Sequence, residues 1–196
     1  MQRQIFISAS YKYHGSGRMR VRLPFSRTMR NYFKKVQFRN IPNWTLSDSR
    51  LDLLVTEIER WEKQYLPADL GGKIVLDVGA GEGETAYFFL QHGAKKVICI
   101  EPDEKCYANL FRNAAGKPIQ CLHKEFQIAD LNIPHDFMKM DIEGWEYLLL
   151  ETELKTPAAV ELHGLPLRQK FRDKGYRVLY DSQSSIGCNA MAYWMC

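Results

Sequence analysis

The sequence predicts a doubly wound, Rossmann-like α/β fold: a seven-stranded, mostly parallel sheet with a last antiparallel strand, preceded by a small basic extension of β-hairpin and helix. Three observations predict it. After Gly72, short apolar runs alternate with helical patterns, as a parallel sheet with crossover helices requires. The first run, Lys73–Val78, enters a glycine turn from which a helix departs. The last two runs have only the Ser/Gly-containing turn Ser182–Gly187 between them, so they pair antiparallel.

The elements follow in order. Residues 4–23 alternate apolar and polar on both sides of His14-Gly15-Ser16-Gly17, which reads as a hairpin over 4–12 and 18–23 ended by Pro24. Residues 25–47 are basic and aromatic, with Phe25, Tyr32, Phe33, Phe38 and Trp44 among the charges. Ser47-Asp48-Ser49 offers cap oxygens to a helix carrying Leu51, Leu54, Ile58, Trp61 and Tyr65 at helical spacing. Pro67 and Gly71-Gly72 end it. Strands fit 73–78, 96–101, 118–123, 136–141, 157–162, 176–181 and 188–195, and helices fit 83–93, 104–114, 144–153 and 165–174. A basic extension over 1–47 therefore precedes a ligand-binding domain over 48–196.

The chain has 196 residues, 45% of them apolar and 26% charged, an ordinary globular balance. It has no apolar run of about 18 residues, so no membrane span is expected, and its start lacks the apolar stretch of a secretory signal. The five cysteines are odd in number and irregularly spaced, without a CxxC. They read as thiols of a reducing cytoplasm, with no structural zinc. Charge is uneven: residues 1–47 hold ten of the 27 Lys and Arg and none of the 23 Asp and Glu. Such a segment suits a polyanionic partner, RNA among them, or it docks on the acidic body; both readings stay open.

The glycine turn, Gly79-Ala80-Gly81-Glu82-Gly83, is the most informative stretch. Glycines let the backbone adopt conformations barred to a Cβ and pass close to a ligand. A dinucleotide site requires GxGxxG, whereas the spacing here is GxGxG. Glu82 and Glu84 stand where a diphosphate would approach, which disfavours phosphate and suits the cationic sulfonium and ammonium of S-adenosylmethionine (SAM). The second strand ends in Glu101, followed by Pro102-Asp103, and a carboxylate there can accept ribose hydroxyls. After the third strand comes Glu125, placed to accept the adenine amino group, with Asp130 as its substitute. The candidate cofactor set is Asp77, Gly79, Ala80, Gly81, Glu82, Gly83, Glu101, Pro102, Asp103 and Glu125.

VLDVGAGEG, the Glu101-Pro102-Asp103 after the second strand and Met140-Asp141-Ile142-Glu143-Gly144 after the fourth resemble class I SAM-dependent methyltransferases. More narrowly, Asp136–Glu146 followed by Val160-Glu161-Leu162-His163-Gly164 is similar to the FkbM-like group. That resemblance spans about residues 73–195 and implies O-methylation, often of sugars or natural products.

The candidate catalytic residues are Asp141, His163, Glu143 and Lys139. Strand alternation places Lys139, Asp141 and Glu143 on one side, and the adjacent fifth strand ends in Glu161 and His163. Asp141 would hold the SAM ammonium or orient an acceptor hydroxyl. His163, at an ordinary pKa of about 6.5, would be its general base. Glu143 either joins them or caps the following helix. Asp141, Glu143 and His163 could also bind a divalent metal, although none is expected. The leading expectation is a sugar or small-molecule O-methyltransferase. An RNA or protein methyltransferase using the basic arm, and a non-catalytic SAM-binding module, are the rivals. The fourth strand lacks the [DNS]-P-P-[YFW] run used on exocyclic amines.

Overall fold

The computed structural model describes residues 27–41, 43–65, 69–180 and 190–195. The expected hairpin over 4–23 and the turn Ser182–Gly187 lie outside the described residues. The chain separates into two compact units, Met1–Arg60 and Trp61–Cys196.

In the first unit, the basic run contains a helix, α1 (Arg27–Arg39), followed by the start of α2 (Asp48–Tyr65). Ser47 Oγ accepts the Arg50 amide, the cap expected from the sequence. Several α1 cations turn toward α2: Lys35 pairs with Asp52, Arg39 pairs with Asp48, and the Lys34 ammonium donates to the Val55 carbonyl. Trp44, Leu51, Leu54 and Val55 are buried.

The second unit is built on one seven-stranded sheet. Its strands are β1 (Ile74–Val78), β2 (Lys96–Glu101), β3 (Ile119–His123), β4 (Phe137–Met140), β5 (Ala158–Leu162), β6 (Arg177–Tyr180) and β7 (Ala190–Trp194). The order is β3-β2-β1-β4-β5-β7-β6. β7 inserts between β5 and β6 and pairs antiparallel with both, while the other pairings are parallel. Helices α3 (Glu84–Gln91), α4 (Glu104–Ala114) and α5 (Leu165–Asp173) follow β1, β2 and β5.

Alternation along the strands divides the two faces of the sheet. Leu76, Val78, Ile98, Ile100, Met138, Met140, Val160 and Leu162 build one core with Leu149, Phe171 and Tyr176. Tyr65, Phe88, Phe89 and Phe137 form a chain of edge-on aromatic contacts. The helix expected over 144–153 is instead a 3-10 segment, Trp145–Glu151. It starts from Gly144 in the left-handed region, φ +105°, and the Glu146 carboxylate turns back to accept the Ile142 and Gly144 amides. That return contact caps the start of the segment, whose ends are closed by tighter i to i+3 bonds, Trp145 amide to Ile142 carbonyl and Thr152 amide to Leu149 carbonyl. Among the described residues, no helix is long and apolar enough to cross a membrane.

Candidate active site

The order of the sheet turns between β1 and β4, and the carboxyl ends of those strands form the crevice where open α/β sheets take ligands. The glycine turn closes one side of it. Gly79 has φ +74°, and a Cβ there would lie 1.8 Å from the Asp141 carbonyl oxygen. Glycine is thus required at residue 79 by the close passage of the chain leaving β4. The Gly79 and Ala80 amides both donate to the Ile100 carbonyl, at 3.0 and 3.2 Å. Gly81, at φ +58°, donates its amide to Glu101 Oε2 at 2.8 Å. Glu101 Oε1 accepts the Asp103 amide at 2.9 Å, so this buried carboxylate ties the turn to the end of β2. Asp103 in turn caps α4 through the Cys106 amide at 2.8 Å. That bond holds its carboxyl below the usual range. Pro102 is exposed and offers its carbonyl to His123 Nε2 at 3.1 Å.

The entry to α3 carries its own anion. Glu84 Oε2 accepts the Glu82 amide at 2.9 Å, and the Glu82 carbonyl accepts Asn113 Nδ2 at 2.8 Å. The Glu84 carboxylate thus occupies an amide of the turn just before α3.

Two residues expected in the crevice have other partners. Asp77 and Lys139 are cross-strand neighbours in the β1–β4 register and are 0% and 1% exposed. The Lys139 ammonium lies 3.3 Å from Asp77 Oδ1 and donates to the Gly79 carbonyl at 2.7 Å. Asp77 Oδ2 accepts the Thr85 hydroxyl at 2.6 Å. Burial works against the Lys139 charge, but the Asp77 and Asp141 carboxylates outweigh it and raise its pKa. The pair lies beneath the turn and fixes it to the sheet. Lys139 therefore does not join Asp141 and Glu143 around His163: β4 ends at Met140, and Glu143 takes φ +55°, so strand alternation no longer governs the later side chains.

Asp141, Glu143 and His163 do come together. His163 Nε2 lies 3.6 Å from Asp141 Oδ1 and 3.5 Å from Glu143 Oε2. Its other nitrogen, Nδ1, lies 2.9 Å from Glu146 Oε1. Glu146 is fully buried and received no role in the sequence reading. The cap foreseen for Glu143 is made by Glu146, three residues on, while the Glu143 side chain is 87% exposed. Burial alone would lower the His163 pKa, but the Glu146 hydrogen bond and the three carboxylates lift it to about 9. At neutral pH the ring therefore carries its proton in this arrangement, and the general-base role argued from an ordinary pKa does not follow. Burial likewise pushes the Glu146 carboxyl up, yet its bonds from His163 and the backbone amides hold it below the usual value.

After β3, Glu125 is exposed, whereas Asp130 is buried and pairs with Lys124 at 2.8 Å while accepting the Gln127 amide. His123 stacks on Tyr107, with ring centroids 4.3 Å apart and planes 11° apart. This pair beside Pro102 was also missed in the sequence, because its members come from β3 and α4.

No family model matches the chain. Solved structures with the same architecture include a methyltransferase from Pyrococcus furiosus, 14% identical, TM-score 0.56, covering 85% of this chain and 95% of that one. A candidate RNA methyltransferase from Pyrococcus horikoshii is 17% identical, TM-score 0.53, over 84% of this chain and 96% of that one. Fibrillarin from Aeropyrum pernix, solved with bound SAM, is 11% identical, TM-score 0.54, over 70% and 73%. The fold is the Rossmann-like methyltransferase fold. In sequence, 53 residues are 43% identical to ribosomal RNA small subunit methyltransferase A of Dinoroseobacter shibae, a match over 27% of this chain and 19% of that relative.

Proposed function

We propose that the chain is a SAM-dependent methyltransferase that methylates a hydroxyl of a sugar or small molecule. The observation that carries the cofactor assignment is the glycine turn locked to Glu101 at the β1–β4 switch point, with the Glu84 carboxylate already on the Glu82 amide of that turn. Glu101 ends β2, where a carboxylate can accept ribose hydroxyls, and Glu82 and Glu84 favour a cationic ligand over a diphosphate. The SAM-bound fibrillarin of the same fold supports the same assignment. Asp141, Glu143 and His163, at the ends of β4 and β5, orient the acceptor oxygen. That oxygen attacks the methyl carbon in line. An O–CH3 bond forms, the S–CH3 bond breaks with its electron pair left on the sulfide, and the hydroxyl proton passes to water. Much of the rate gain would come from positioning and water exclusion, as for other in-line transfers held in near-attack geometry.

RNA is the second reading of the acceptor. It is favoured by the ten cations of residues 1–47 and by the RNA methyltransferases among the similar proteins. Against it, Lys35 and Arg39 are already engaged with acids of α2. Transfer of labelled methyl from SAM into cell extract, fractionated into RNA, protein, glycan and small molecules, separates the readings. Label in the glycan or small-molecule fraction supports the hydroxyl reading. Label confined to RNA replaces it, and no label in any fraction counts against turnover.

A further inference from the structure

We propose that Asp141, Glu143 and His163 form a divalent-cation site that holds the acceptor hydroxyl, an inference that deepens the methyltransfer reading. One ligand atom from each of the three residues lies within 4.8 Å of the others. The imidazole-to-carboxylate separations are 3.6 and 3.5 Å. A charge-assisted hydrogen bond would close to roughly 2.7–2.9 Å. Ligand bonds of roughly 2.0–2.1 Å in a tetrahedral array instead set neighbouring donor atoms about 3.4 Å apart. The two separations therefore fit an ion between the groups better than direct contact.

An independent observation comes from behind the ring. Glu146 is 0% exposed and grips His163 Nδ1 at 2.9 Å, leaving Nε2 to face the two carboxylates. A buried carboxylate on the far nitrogen of an imidazole is the support that orients histidine ligands and raises their basicity. The same side chain keeps Oε2 buried with no hydrogen-bond partner among the described residues. Three carboxylates thus surround one imidazole, an excess of negative charge that a divalent ion offsets. A bound cation takes the place of the proton on Nε2.

The donor set also indicates the kind of ion. Two carboxylate oxygens and one imidazole suit first-row divalent ions such as Mn²⁺ or Zn²⁺. Three protein ligands leave positions open for water and an acceptor oxygen, as in catalytic rather than structural sites. The site adjoins the glycine turn, because the Asp141 backbone packs directly on Gly79. An oxygen held there would become more acidic by coordination and would lie beside the expected methyl group. Its proton passes to water as the oxygen takes the methyl and the sulfide leaves with the bonding pair.

The test is calorimetric titration of the full chain, stripped with chelator, using Mn²⁺ and separately Zn²⁺. One tight ion per chain is expected for at least one of the two metals. Asp141→Asn and His163→Ala should each weaken it at least tenfold. Glu146→Gln, which keeps an oxygen for the Ile142 and Gly144 amides but removes the carboxylate behind the ring, should weaken it by roughly the 10–100-fold typical of lost outer-shell partners. Each variant's melting curve shows that it is folded, and Asp141→Asn preserves shape if His163→Ala does not fold. Failure of both ions to bind wild type, or equal affinity in wild type and a folded Asp141→Asn, overturns the proposal. SAM is titrated in the same preparations without metal: ion binding without SAM binding keeps the cation site and removes the methyltransferase reading, and SAM binding without ion binding does the reverse.

Discussion

Lys139→Met is the perturbation whose consequence can be worked most fully from the structure. The substitution keeps the length of the side chain and removes its charge. Asp77, 0% exposed, then keeps only the Thr85 hydroxyl, and the Gly79 carbonyl loses its 2.7 Å donor. Breaking a buried pair by deleting one partner costs about 3–5 kcal/mol, because the remaining charge is uncompensated. Asp77→Asn keeps the Thr85 bond but takes from the Lys139 ammonium its nearest counter-charge. The double variant Asp77→Asn/Lys139→Met removes both charges of the pair. Its cost should fall short of the sum of the singles by about 1–3 kcal/mol, the usual coupling of groups in one network. Urea unfolding followed by circular dichroism, with linear extrapolation, gives each value. A cost below about 1 kcal/mol for Lys139→Met, or strict additivity in the cycle, would refute the view that this pair anchors the turn.

The remaining predictions concern the turn, the ribose contact and the basic helix. Gly79→Ala combines a φ of +74° with a Cβ 1.8 Å from the Asp141 carbonyl oxygen, so it should lose SAM binding or fail to fold; a variant with normal melting temperature and normal SAM affinity contradicts this. Glu101→Ala removes the acceptor of the Gly81 amide and the expected ribose contact, and should weaken SAM by at least the roughly 1.5–3 kcal/mol of hydrogen bonds to a charged group; unchanged calorimetric affinity in a folded variant removes Glu101 from the site. Lys35→Glu with Arg39→Glu breaks two exposed pairs of the first unit and should cost no more than about 1 kcal/mol per pair. That variant should also leave SAM affinity within about twofold, a shift of roughly 0.4 kcal/mol; a larger loss of SAM affinity denies that the extension serves the acceptor alone.

Most of the sheet was legible because its strands are short apolar runs, several of them ended by Gly or acid, and each described strand falls inside its expected span. The insertion of β7 between β5 and β6 was only partly legible: the tight turn predicts antiparallel pairing but not which strand lies next to β5. Helix α1 was only partly legible: a helix was expected in the basic extension, and Met29, Tyr32, Phe33 and Val36 stand at helical spacing, but the Lys and Arg around them drew the reading toward an arm without fixed bounds. At the site, the meeting of Asp141, Glu143 and His163 followed from adjacent strand ends. The fate of Lys139 did not, since strand alternation fails where the chain leaves β4 at Asp141 and Glu143 turns left-handed. Glu146 escaped because its importance comes from full burial against His163, a pairing across 17 residues that local spacing does not reveal. The raised His163 pKa is hidden for the same reason, because it depends on three carboxylates of residues 141–146 meeting a ring at the end of β5.

The central claim is that the Gly79–Gly83 turn and Glu101 bind SAM. Isothermal titration of the full chain with SAM, its demethylated product and NAD tests it most directly. One site is expected for SAM and for the product, both weakened by Glu101→Ala, and no heat from NAD. Saturable NAD binding, or no binding of SAM and product by folded wild-type protein, would contradict it.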